Sequence, residues 1–266
     1  MRGMATPNDI ASRPKPKVNH LTRILVCLLG VGAIGWGLFA LPLFWQESSF
    51  RSVAAKLLQG DSFKPQLVSD EAQKAEKAAQ YQFCNPDALR SLFVLRLFIL
   101  TGAIETANRE LAAASYTPLD EAARQALACA PVDSFVWLAL FWLDAGKYGL
   151  NARNASYLRL SYVLGRNEGW IALWRVRLAL LLFERLPADL ATDAVDDFIN
   201  LVNTGQMYGK TATIFKDASP AIQSRIVEQL KGTRIAARQI FARELHYRGM
   251  DIEIPGLEKP AARPWR

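Results

Sequence analysis

The chain has 266 residues, of which 51% are hydrophobic and 21% charged, enough apolar material for one sizeable core besides a membrane segment. Its net charge of +7 is concentrated in residues 1–23, which hold five basic residues and one acidic residue. The remainder carries only +3 and shows no basic stripe, so nucleic acid is not an expected partner. With only two histidines, zinc ligation and histidine-based catalysis are disfavoured, and we expect no cofactor.

An N-terminal membrane segment is the strongest signal in the sequence. Residues 24–45 contain no charge and, at about 1.5 Å per residue, extend far enough to cross a bilayer core. This stretch is longer than the apolar region of a cleaved signal peptide, and no small-residue cleavage site follows it directly. Because basic residues precede the span, the positive-inside rule predicts a cytoplasmic tail at 1–23 and a C-terminal domain in the periplasm or exterior.

The glycines within the span do not indicate a nucleotide site. Residues 30–35 match G-x-G-x-x-G, but that motif binds a dinucleotide only between a strand and a helix, and here it lies inside an apolar run. Ala33 and Gly37 are instead candidates for close packing against another membrane helix, because small residues four apart let two backbones approach.

After the span, the pattern predicts an all-α domain. Residues 46–68 are predicted to form a short helix and a linker interrupted by Pro65, residues 69–250 the helical domain, and residues 251–266 an irregular Pro-rich tail. Strand patterns are almost absent. Capping patterns predict helix starts at four places, namely Ser69, Asn85-Pro86, Thr117-Pro118 and Ser219-Pro220. Four late helices are predicted at 188–203, 206–216, 219–231 and 233–248.

A weak internal repeat connects the apolar helices of the domain. Trp137-x-x-Leu140-Phe141 recurs 33 residues later as Trp170-x-x-Leu173-Trp174, and Leu92-x-x-Leu95 precedes the first. The spacing of 33 residues, with Pro131 shortly before Trp137 and Pro86 shortly before Leu92, resembles the tetratricopeptide repeat, although Phe141 and Trp174 replace its small glycine. The resemblance covers roughly residues 70–185 and implies stacked helix hairpins.

Aromatic and arginine side chains on these helices are candidates for partner contacts. The alternative is that the aromatic side chains form core and the arginines form ion pairs with Asp87, Glu168 or Glu184. The candidate residues are Trp137, Trp142, Trp170, Trp174, Arg96, Arg175 and Arg177.

The two cysteines outside the span, Cys84 and Cys129, are a candidate disulfide. A non-cytoplasmic domain lies in an oxidising compartment, where such a bond forms. The alternative is two separate buried thiols, because equivalent repeat positions can lie too far apart for a bridge.

A catalytic alternative depends on an acidic cluster. Asp193 and Asp197 share one helix face, and paired carboxylates act in glycosidases, so with Glu168 they define a hypothetical envelope glycan hydrolase. However, aspartates in the first half of a helix also complement its dipole. We therefore expect a protein that is not an enzyme.

Two segments resemble a known class of proteins. They are Cys129-Ala-Pro-Val-Asp-Ser-Phe-Val-Trp137 and Tyr157-Leu-Arg-Leu-Ser-Tyr-Val-Leu-Gly-Arg-Asn-Glu-Gly-Trp-Ile-Ala-Leu173. They resemble small membrane-anchored tetratricopeptide-like accessory proteins of bacterial exopolysaccharide synthesis and export. The resemblance implies a single-pass bacterial inner-membrane scaffold with membrane lipid and other inner-membrane or periplasmic proteins as partners, and an anionic polysaccharide as a further candidate. A third hypothesis is an accessory subunit that contacts another complex through its membrane helix.

Overall fold

The computed structural model describes residues 20–81, 84–205 and 207–258, without the side chains of 39–46 and 81. These residues contain no strand, which confirms the all-α prediction. Most of the predicted basic tail and the last eight residues lie outside them. The described α-helices are α1 (His20–Gln59), α2 (Pro65–Tyr81), α3 (Pro86–Glu105), α4 (Arg109–Cys129), α5 (Ser134–Tyr148), α6 (Ala152–Leu164), α7 (Gly169–Leu181), α8 (Ala188–Thr204), α9 (Tyr208–Asp217), α10 (Pro220–Gln229) and α11 (Ile235–Tyr247).

The chain divides into two compact units, Met1–Ser49 and Phe50–Arg266. In the first, His20–Leu38 is the one stretch of the described residues that is long and apolar enough to cross a membrane, and none of it is buried. The two small residues proposed for helix packing, Ala33 and Gly37, lie on this exposed surface.

Of the short helix and linker predicted at 46–68, the helix is present as the end of α1, and the linker is confined to residues 60–64 between α1 and α2. α1 continues through this segment, and Phe50, Ala54 and Leu57 lie on one of its faces, which is buried. Spacings of four and three residues place these side chains on a single helical stripe. Pro65 does not interrupt a helix but begins α2, where its missing N–H would have had no intrahelical partner.

Two of the four predicted helix starts are confirmed. The start predicted at Ser69 is wrong, because α2 already begins at Pro65. Asn85 caps α3 and Ser219 caps α10, each followed by proline in the first turn. The start predicted at Thr117 is wrong, because Asn108 caps α4 earlier and Pro118 lies inside that helix. An interior proline costs about 3 kcal/mol, and the buried face that follows it offsets that cost. The four late helices are confirmed as α8 to α11.

Neighbouring helices of the second unit pack against one another, with α2 and α4 both against α3, α5 against α6 and α7 against α8. Two apolar cores result, and α7 contributes to both: Ile171 belongs to the first, whereas Val176 and Ala179 belong to the second. The second core also takes in Ile254, so the predicted irregular tail begins with a packed segment. Helix α8 also contributes to both, with Leu190 in the first core and Val195 in the second, so the two cores meet along α7 and α8.

Gly165, between α6 and α7, allows a close contact with the start of α5. A Cβ added there would overlap Ser134 Oγ and lie 2.6 Å from Ser134 Cβ. We expect Gly165→Ala to lower the free energy of unfolding by about 1–3 kcal/mol, as overpacking does, measured by urea unfolding in mild detergent. Gly146→Ala is the matched control, because nothing lies within 4 Å of its added Cβ. A Gly165→Ala variant as stable as the control would contradict this prediction.

Candidate functional site

Helix α7 has one buried half and one solvent-facing stripe. Spacings of four, three, one and three residues place the stripe on a single side of the helix. We call it the α7 face, and its members are Trp170, Trp174, Arg177, Leu178 and Leu181. Trp174 is 43% exposed and Leu181 75% exposed. Trp170 and Leu178 are half-buried and pack against the first core, where the ring centroid of Trp170 lies 5.0 Å from that of Phe135. Tryptophan, arginine and leucine at this spacing form the kind of surface that anchors a partner helix.

The two predicted aromatic residues on α5 have packing contacts. Trp137 donates its indole N–H to the carbonyl of Pro131 at 2.8 Å, and its ring centroid lies 5.5 Å from that of Tyr157. Trp142 is half-buried against the first core. Trp137 and Trp142 therefore pack within the domain, which was the alternative to a partner contact. Neither residue belongs to the α7 face.

The structure contradicts the proposal that Arg175 contacts a partner. Its side chain is fully buried, because it projects from the packed half of α7. The guanidinium donates to Asp197 at 2.8 Å and to the carbonyls of Ser161 at 2.7 Å and Gly165 at 3.1–3.2 Å. It also lies 4.7 Å from the ring centroid of Tyr162. Arg175 therefore joins α6, α7 and α8, a structural role.

The two aspartates of the hypothetical glycan hydrolase lie in different surroundings. Asp197 is 4% exposed and pairs with Arg175, whereas Asp193 is half-buried. Burial raises the pKa of the Asp197 carboxyl, and the Arg175 charge opposes this shift. Burial also raises the pKa of Asp193. Within the described part of the chain, no three His, Cys, Asp or Glu side chains are grouped to hold a metal ion.

The remaining arginines differ in their ion pairing. Arg96 pairs with Glu76 at 2.6 Å and Arg90 with Asp133 at 3.1 Å, so the acceptors are not those the sequence suggested. Arg177, in contrast, is exposed and has no ion pair among the described residues. The α7 face therefore carries an uncompensated positive charge.

Charged side chains of both signs follow the C-terminal end of α7. Glu184 and Arg185 are exposed there, and the guanidinium of Arg225 on α10 lies 5.4 Å from the ring centroid of Phe183. None of the three forms an ion pair within the ranges that the structure describes. The sequence reasoning missed Arg185, Arg225 and Leu181, although counting the helical period onward from Trp170 and Trp174 reaches Leu181.

A small surface cleft lies where the first turns of α3, α5 and α7 meet. Its volume is about 220 Å³, and Arg90, Asp133 and Glu168 contribute to its walls. The Arg90 guanidinium also lies 5.9 Å from the ring centroid of Trp170. Arg90 and Asp133 already pair inside it, and Asp87 pairs with Arg51 at 3.3 Å, so the cleft offers a partner mainly the exposed carboxylate of Glu168.

Cys84 and Cys129 form a disulfide bond with their Cα atoms 5.5 Å apart. Cys84 precedes α3 and Cys129 ends α4, so the bond closes the open end of this helix pair. The alternative of two separate thiols is therefore wrong. Comparison of the chain with protein-family models, with curated proteins and with solved structures gives no match.

Proposed function

We propose that this protein is a membrane-anchored, non-catalytic adaptor whose helical domain binds a protein partner at the surface of a bacterial inner membrane. The observation that carries the proposal is the α7 face, on which Trp174 and Leu181 are exposed along one side of a helix whose other side is buried. Scattered apolar side chains are common on protein surfaces, whereas an aligned stripe that includes tryptophan marks a binding surface.

The anchor in this proposal is the exposed apolar helix His20–Leu38, with the basic N-terminal tail in the cytoplasm and the helical domain in the periplasm. The disulfide between Cys84 and Cys129 supports this orientation, because such bonds persist in oxidising compartments and are rare in the cytosol. In the same proposal, the pairs α3–α4, α5–α6 and α7–α8 stack as tetratricopeptide-like repeats.

The cellular process that we propose is polysaccharide assembly or export. It follows from the resemblance of segments 129–137 and 157–173 to accessory proteins of exopolysaccharide systems. The role is protein contact rather than sugar transfer, since Asp197 is already paired with Arg175.

The paired variant Trp174→Ala, Leu181→Ala tests the adaptor. We expect the intact protein, purified from membranes in mild detergent, to co-elute with identifiable envelope proteins. The paired variant loses them, because it removes the two most exposed apolar side chains of the α7 face. Secreted polysaccharide should fall with the same variant.

Controls separate loss of binding from loss of anchoring. Val163→Ala on α6 removes a side chain that is 71% exposed and should leave co-elution intact. The paired variant should remain in the membrane after carbonate extraction and keep its disulfide. Release of the wild-type chain by carbonate, or reduced Cys84 and Cys129 in intact cells, would contradict the anchor and its orientation. If the paired variant still co-elutes with the same proteins, the α7 face is not the surface that binds them.

A further inference from the structure

The two sulfurs of the disulfide differ in their exposure. Cys84 is exposed in the turn before α3. Cys129 is the last residue of α4 and is half-buried, packed against the first core. A reagent that approaches from solvent therefore reaches the sulfur of Cys84 more easily than the sulfur of Cys129.

The two helix ends also favour different charge states of the reduced thiols. Cys84 directly precedes Asn85, the N-cap of α3, and the positive end of a helix dipole stabilises a thiolate. Cys129 lies at the C-terminal end of α4, where the negative end of the dipole disfavours one. The charged side chains beside Asn85 are Arg51 and Asp87, which pair with each other at 3.3 Å and so largely cancel. Exposure and charge therefore favour reaction at the same cysteine.

We propose that the disulfide is formed through Cys84, which reacts first with an external disulfide donor and carries the donor until Cys129 displaces it. In the first step the Cys84 thiolate attacks one sulfur of the donor disulfide. A mixed disulfide between Cys84 and the donor forms, and the second sulfur of the donor leaves as a thiolate.

The second step takes place within the chain. The thiol of Cys129 loses its proton to solvent, and the resulting thiolate attacks the sulfur of Cys84. The bond seen in the structure forms, and the first sulfur of the donor leaves as a thiolate. In total, the two thiols of the chain are oxidised with loss of two electrons and two protons, and the donor disulfide is reduced to two thiols.

Cys129 is suited to the second step because it does not have to reach solvent. Its Cα atom lies 5.5 Å from that of Cys84, within the usual range for a disulfide, and the packing of α3 against α4 keeps both cysteines at the same end of the helix pair. In the opposite order, Cys129 would meet the donor first, which would require the half-buried end of α4 to open.

Single-thiol variants of the full chain in mild detergent measure this order. Each carries Cys27→Ser, which removes the third cysteine of the chain, together with either Cys129→Ser or Cys84→Ser. Each reacts with glutathione disulfide at neutral pH, and mass spectrometry of the intact chain follows the adduct. We expect the thiol of Cys84 to be glutathionylated at least about ten times faster than the thiol of Cys129. The experiment is independent of the adaptor function, because it concerns only the thiols of the purified chain.

The same two reactions in concentrated urea are the matched control. Unfolding removes the burial of Cys129 and both helix ends, so the two rates should then agree within about twofold. A tenfold preference for Cys84 that persists in urea would show that the fold does not cause it, and would overturn the inference.

A chain that keeps both cysteines guards against a single-thiol variant that fails to fold. The Cys27→Ser chain is reduced, mixed with a limiting amount of glutathione disulfide and quenched with acid, and peptide mass spectrometry identifies the cysteine that carries the first adduct. We expect at least about ten adducts on Cys84 for each one on Cys129, with the helical circular dichroism of the oxidised chain retained. Equal adducts on the two cysteines, a preference for Cys129, or a reduced domain that has lost its helices would each overturn the inference.

Discussion

Replacing Arg175 by methionine is expected to lower the free energy of unfolding of the helical domain by about 3–5 kcal/mol, because it leaves the buried Asp197 carboxylate without its partner. The same change also removes the donors to the carbonyls of Ser161 and Gly165, which connect α7 to α6. Urea unfolding of the full chain in mild detergent, followed by circular dichroism, measures the difference.

The double variant Arg175→Met, Asp197→Leu separates the ion pair from general packing. With both charges removed, no charge stays buried alone, so we expect this variant to be more stable than Arg175→Met. Arg177→Met is the matched control on the same helix and should change stability by no more than about 0.5 kcal/mol, since Arg177 is exposed. Equal effects of the changes at 175 and 177 would refute the structural role of Arg175.

Removing the disulfide should have the second largest effect. The bond closes a loop with a sequence separation of 45 residues, and the variant Cys84→Ser, Cys129→Ser should lose about 2–4 kcal/mol of stability. The cause is the larger conformational freedom of the unfolded chain once the loop is open. Thermal unfolding of the wild type with and without reductant should show the same decrease.

Cys27→Ser controls for the thiol chemistry, because Cys27 lies on the apolar helix and is the free cysteine among the described residues. Its stability should equal that of the wild type, both oxidised and reduced. If reductant leaves the stability of the domain unchanged, the packing of α3 on α4 alone is enough to hold this end of the helix pair together.

Local signals in the sequence predicted much of the fold. The caps at Asn85 and Ser219 and the apolar period of the late helices each depend on neighbouring residues, and all are confirmed. The start at Thr117 failed because an equally good cap, Asn108, lies nine residues earlier. The linker was predicted to be longer than it is, because the buried helical face at Phe50 is short and follows directly on the apolar span.

The candidate site was harder to predict, because its chemistry depends on contacts between distant residues. Arg175 and Arg177 look alike in the sequence, yet two helix positions place one in the core and the other in solvent. The partner of Arg175 is 22 residues away on α8, and the carbonyls that it binds belong to α6 and to the turn after it. No local pattern distinguishes such a buried arginine from an exposed one.

The disulfide also determines how the protein would carry a pulling force. In a chain held by its membrane helix at one end and by a partner on α7 at the other, covalent tension passes from Cys84 to Cys129 through sulfur and bypasses α3 and α4. Without the bond, unravelling this segment would add roughly 150 Å of slack at about 3.4 Å per residue. With the bond in place, pulling on the two ends of the chain cannot extend residues 84–129, so this segment adds no slack.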